Sequence, residues 1–236
     1  MKIVTHTALA ARRRRQALAL SLGGTAILLA GLWLNFQGRF DLAFALLVAG
    51  TLASWIGIAF GDRWISVPRP DAALADGLRE RTGRVFALYN WVLPADHVYL
   101  APWGVTVFAV YNQDGPIRID GPRWRDARPL WQRALRFGRR PVVHPGRAMA
   151  ADVEAVTGIL RAADPDLADV PVEAAAVFIN PRADLQVAAA DLPVLRAVDL
   201  GEWVRASMRR PRLADDVRKR VEAALDAAAA ARRGAT

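Results

Sequence analysis

The sequence predicts an α/β fold, a mixed sheet flanked by helices, preceded by a two-helix transmembrane hairpin. Three observations carry that reading. Ala17–Leu34 and Leu42–Gly61 are long runs without a charge. Gly83–Asn112 reads as strand, turn, strand, turn, strand. From Met149 onward, helical and strand patterns alternate, which places a sheet between helices.

Each charge-free run approaches the roughly 20 residues that cross a bilayer core. A charge at the centre of either would cost about 2.5–3.5 kcal/mol on insertion scales. Gln37-Gly38-Arg39 is the short break between them. A cleaved signal peptide is the competing reading of the first run. Its length, the lack of a clear A-x-A site and the immediate second run argue against it. Positive charge sets the orientation. Arg12–Arg15, Arg63 and Arg69 fall on one side, whereas the loop holds only Arg39, offset by Asp41. Both termini and the α/β domain are therefore expected in the cytoplasm, on a multi-pass cell-membrane protein. Gly23, Gly24, Gly31, Gly50 and Gly57 offer small surfaces for close helix packing.

The rest divides as follows: residues 1–16 a basic tail, 17–62 the hairpin, 63–70 a stiff Pro-rich linker, 71–210 the α/β domain and 211–236 an Ala/Arg-rich helix. Asp71 is a plausible N-cap for a short helix that carries Leu74 and Leu78. The core strands follow. Val85–Tyr89 alternates, His97–Leu100 is short and apolar, and Val105–Tyr111 is rich in β-branched and aromatic residues. Ile117–Asp120 reads as a short strand which, with Trp124, caps the sheet edge. Arg128–Arg140 has the spacing of an amphipathic helix, with Trp131 in its core stripe. Met149–Ala162, Leu200–Arg209 and Ala214–Arg232 read as helices, and Val170–Asn180 and Pro193–Val198 as strands.

The formal charge of +9 favours nucleic acid or anionic lipid as a partner. Arginines that merely set membrane topology would give the same balance. With no Cys, disulfides, thiol catalysis and Cys-ligated zinc are excluded. His6, His97 and His144 are too scattered for a metal site. Arg123, Arg125, Arg133, Arg136, Arg139 and Arg140, interleaved with Trp124, Trp131 and Phe137, are the candidate nucleic-acid contacts. The plainer reading of the same stretch is a surface helix.

Asp96-His97 enters a strand, Pro102 and Gly104 form a turn, and Gly104-Val105-Thr106-Val107 opens the next strand. With Asp114-Gly115, Trp124 in GPRWRD, Pro129-Leu130 with Gln132, and Val177–Pro181, this pattern resembles the nuclease-related domain (NERD) family of the PD-(D/E)xK nuclease superfamily. The resemblance covers roughly Asp71–Ala206. It implies a restriction-endonuclease-like sheet. It also implies a divalent metal, held between an Asp that begins one strand and a Glu on the next, with a Lys two residues on. Phosphodiester cleavage needs such a hard cation with open positions.

Asp96 matches the Asp position. With Gly104-Val105 aligned on the family's Gly-Val, Ala109 stands where the Glu belongs and Tyr111 where the Lys belongs. Ala binds no metal and Tyr is neutral at pH 7. The resemblance thus implies a membrane-anchored nuclease-related domain without catalysis, with no cofactor, acting by binding or scaffolding of nucleic acid or a protein. The alternative is an active nuclease that uses Mg²⁺ on Asp96 with Asp114 or Asp120 as relocated carboxylate.

Overall fold

Lys2–Thr5 forms a strand, β1, ahead of the first apolar helix. The computed structural model describes residues 1–234 apart from 66, 80–82, 84 and 135–140. The chain divides into two units. One comprises Met1–His6, Pro68–Arg128 and Val142–Thr236, the other Thr7–Val67 and Pro129–Pro141. The chain leaves the first unit after His6 and re-enters it at Pro68.

The second unit is built on two helices, α1 (Thr7–Phe36) and α2 (Phe40–Trp64). Both contain a stretch long and apolar enough to cross a membrane. Leu22, Leu29, Trp33, Phe36, Phe40 and Phe44 stand exposed on them. The helices meet through small residues. A Cβ on Gly57 would lie 2.6 Å from the Ser21 nitrogen, and one on Gly24 2.5 Å from the Ser54 nitrogen. Gly50 approaches Leu28 and Gly31 approaches Ala43 in the same way, while nothing lies within 4 Å of Gly23. Four of the five predicted glycines therefore form the seam.

In the first unit, α3 (Pro70–Arg79) precedes the meander β2 (Ala87–Asn90), β3 (His97–Ala101) and β4 (Gly104–Tyr111). A hairpin follows, β5 (Gly115–Asp120) and β6 (Arg123–Asp126). After α4 (Leu130–Ala134, in the second unit) come α5 (Gly146–Ala163), β7 (Val172–Phe178), β8 (Ala183–Ala189), β9 (Val194–Arg196), α6 (Leu200–Ser207) and α7 (Asp215–Gly234). The main sheet has the order β1-β2-β3-β4-β7-β9, and a small sheet has the order β6-β5-β8. In the main sheet β2–β3 and β3–β4 are antiparallel, whereas β1–β2, β4–β7 and β7–β9 are parallel.

Strand alternation divides the core between two faces. Tyr89, Val98, Leu100, Val105 and Val107 pack beneath Val156 and Leu160 of α5 and Val221 and Leu225 of α7. Leu88, Tyr99, Phe108 and Val177 face Leu74 and Leu78 of α3 and Leu200 and Val204 of α6. Each fully buried side chain of this size is worth about 1.5–3 kcal/mol. Ala176 and Phe178 are covered by Ile117, Ile119 and Trp124 of the small sheet.

Several expectations change. The residues expected to begin a basic tail hold an edge strand, paired Lys2 to Ala87 through Thr5 to Asn90. Lys2 Nζ lies 3.1 Å from Glu222 Oε1 and 2.5 Å from Asp226 Oδ2, so α7 fastens that strand. Ile117–Asp120 belongs to the separate small sheet, because β5 pairs with β6 and β8. β8, not among the expected strands, is largely exposed and alternates Ala183, Leu185 and Val187 with Asp184 and Gln186. Asp71 lies inside the first turn of α3, ion-paired to Arg69, instead of capping it. Trp131, expected in a core stripe, is 63% exposed. Of the longer helix expected there, residues 135–140 lie outside the described residues.

Gly57→Leu should loosen the hairpin, by about 1–3 kcal/mol in an SDS titration of the micellar protein. Gly23→Leu should leave the titration midpoint unchanged, because its Cβ meets open space. Equal effects would mean that the seam is not where the helices touch.

Candidate functional site

Asp96 sits in the turn that joins β2 to β3. Its carbonyl accepts the Trp91 N–H at 2.7 Å. Trp91 has a left-handed backbone, with φ 58°, and is nonetheless 6% exposed. A bulky residue held there costs on the order of 1–3 kcal/mol and marks a turn over-determined by its surroundings. The Trp91 ring meets His97 edge-on at 5.3 Å.

The next strand is set by a second constrained turn. Gly104 has φ 143°, and a Cβ there would lie 2.6 Å from the Pro171 carbonyl oxygen. That approach lets Val105 N–H donate to the same oxygen at 2.9 Å. It ties the start of β4 to β7, with Val105 opposite Val172, while on the other side of β4 Val107 stands opposite Val98 of β3. The paired residues end there: Asp96 lies in the turn before β3, and Ala109 pairs on its other side with Ala176 of β7. Ala109, the position aligned on the family's Glu, holds a methyl group.

Tyr111 is committed elsewhere. Its ring stacks on Phe178 at 4.9 Å and tilts against Trp124 at 5.4 Å, and its hydroxyl donates to the Val143 carbonyl at 2.9 Å. Trp124 in turn meets the His144 ring at 5.3 Å, and His144 Nε2 lies 3.0 Å from Asp191 Oδ1. That contact holds the Asp191 carboxyl below its ordinary range.

The proposed substitute carboxylates are placed differently. Arg128 makes a two-oxygen contact with Asp126, Nε to Oδ1 at 2.9 Å and a terminal nitrogen to Oδ2 at 2.7 Å. It also donates to the Asp114 carbonyl at 2.7 Å and stands 3.6 Å from the Asp114 carboxylate. Asp114 is thereby engaged with a guanidinium. Asp120 lies on the small sheet, opposite Arg123. Among the described residues no three His, Cys, Asp or Glu side chains cluster to hold a metal.

His97 is 3% exposed. Its Nδ1 lies 2.8 Å from Asn90 Oδ1, while Asn90 Nδ2 donates to Thr5 Oγ1 at 3.3 Å. These contacts form a side-chain relay across three strands. Asn90 and Thr5 were not singled out from sequence. A polar residue ending the apolar run Ala87–Tyr89 was the only signal.

Of the predicted nucleic-acid contacts, Arg123 and Arg125 are exposed on β6. Arg125 stands opposite Arg118 of β5, a third outward arginine. Asp120 interrupts the group. Arg133 is exposed on α4 in the other unit, and Arg136, Arg139 and Arg140 lie outside the described residues.

The chain has three tyrosines, and all three have raised pKa values, each chiefly by burial. For Tyr89 the Asp226 carboxylate, which accepts its hydroxyl proton at 3.0 Å, adds to the rise. Burial disfavours the Lys2 ammonium, but Asp226 and Glu222 outweigh that, so its pKa is raised too. Above pH about 10 the unfolded chain loses protons that the folded chain keeps, so stability should fall as pH rises. Absorbance at 295 nm should show no tyrosinate in the native protein near pH 10.5, then a single cooperative rise on unfolding. A gradual rise of one tyrosine's amplitude before unfolding would contradict these environments. No family model, no curated protein and no solved structure matches this chain.

Proposed function

We propose that this is a membrane-anchored protein whose restriction-endonuclease-like domain, related to the NERD family, is catalytically silent and works at the cytoplasmic face by binding or scaffolding. The observation that carries the reading is the side chain at the aligned position: Ala109 on β4 offers a methyl group where the resemblance implies a Glu, and Asp96 lies in the turn before β3. Tyr111 at the Lys position is absorbed into an aromatic cluster. One carboxylate alone supplies too little charge to retain Mg²⁺ firmly.

Anchoring is supported by connectivity. β1 precedes the hairpin and pairs with β2, which follows it. Both ends of the hairpin must therefore lie on the same side of any bilayer it enters, as two crossings require. The positive charge of Arg12–Arg15 favours the cytoplasm for that side. The partner remains of the classes that the basic surface allows. Arg118, Arg123 and Arg125 favour a phosphate backbone, and binding of nucleic acid would fall steeply with salt.

The full chain in nanodiscs, mixed with Mg²⁺ or Mn²⁺ and single- or double-stranded DNA or RNA, should cleave none of them. Cleavage abolished by Asp96→Ala would overturn the silent-site reading. Because β1 lies before the hairpin, a fragment starting at Pro70 would lack an edge strand and is the wrong reagent. Topology is tested separately. The native chain is free of Cys, so Gly38→Cys and Glu173→Cys each give a single reporter. A membrane-impermeant maleimide applied to intact cells should label the first and spare the second until the membrane is opened. The reverse pattern would place the domain outside.

A further inference from the structure

α1 carries an open groove of about 440 Å³, lined among the described residues by Arg13, Gln16, Ala19 and Leu20. These positions share one face of the helix. The groove is polar at its N-terminal end and apolar where the charge-free run begins. Arg12–Arg15 are all exposed, and none pairs with a carboxylate among the described residues. This contrasts with the other unit, where Arg128, Arg196, Arg210, Arg218 and Arg220 each face an Asp or Glu. α1 contains no acidic residue at all. The hairpin's unit also includes α4, on which Leu130 is 78% exposed and Trp131 63% exposed. Tryptophan beside arginine, both exposed on a segment grouped with apolar helices, suits the headgroup level of a bilayer.

We infer that this groove binds an anionic phospholipid, its phosphate held by Arg13 and Gln16 and the start of an acyl chain lying on Ala19 and Leu20. The inference rests on the anchored reading above and adds a lipid class and a site to it. A phosphodiester matches an arginine fork and an amide donor. An acyl chain matches the apolar half of the groove. The neighbouring unpaired arginines raise the local concentration of anionic headgroups, and Arg13 provides the specific contact.

The test uses the full chain in nanodiscs of phosphatidylcholine mixed with phosphatidylglycerol, with retained lipid read by native mass spectrometry. Phosphatidylglycerol should be retained about fivefold over phosphatidylcholine. Arg13→Gln should abolish the preference, whereas Arg14→Gln, which removes the same charge one position along, should keep it. Equal retention of the two lipids, or equal loss in both variants, would overturn the inference, the latter by leaving only diffuse attraction. Displacement of the lipid by millimolar glycerol phosphate would assign the groove to free phosphate esters and overturn it as well. Alkaline carbonate extraction of membranes is run first. Release of the chain there would sink the anchored reading and this one together. An anchored chain with unselective retention would sink this one alone.

Discussion

The parallel pairing of β1 with β2 is the constraint on which the rest depends. Four residues at the start of the chain supply an edge of the main sheet, and everything from Thr7 to Val67 is then an excursion from one domain. The pairing is a non-local one, and its closure is long in sequence. Lys2, bonded to Glu222 and Asp226, and Tyr89, donating to Asp226, join the two ends of the chain across that edge. The ion pair is partly exposed and worth little by itself. Its effect is to fasten the short edge strand β1 to α7.

The two apolar helices obey a different physics from the sheet. Their contact is made by close backbone approach at Gly24, Gly31, Gly50 and Gly57, and their outer surfaces are Leu, Phe and Trp. In water such a surface would be a liability; against hydrocarbon it is the matched solvent. Small residues are then what bring the helices together, since burying apolar side chains between them offers no advantage over lipid.

At the candidate site two constrained turns lead into paired strands: Trp91–Asp96 precedes β3, and Gly104 opens β4, which pairs with β3 antiparallel. Asp96 carries a carboxylate there and Ala109, on β4, a methyl. The third position, Tyr111, belongs to a cluster with Trp124 and Phe178 that seals the small sheet to the main one.

The sequence by itself determined the apolar helices, the three core strands and the later helices, because their periodicity and length are local properties. It also pointed to the glycines of the helix seam, four of the five making close contact, since they follow from a spacing. Tertiary structure alone decided the rest. A four-residue strand such as Lys2–Thr5 has no pattern until β2 offers it hydrogen bonds. The short alternation of β8 finds its partner only because β5 lies beside it. Whether Ile117–Asp120 extends the main sheet or starts another depends on partners distant in sequence. The relay Thr5–Asn90–His97 joins residues that only the strand order brings together. Local sequence carries local propensity, whereas strand order, edge pairing and side-chain partnership are settled by which segments meet.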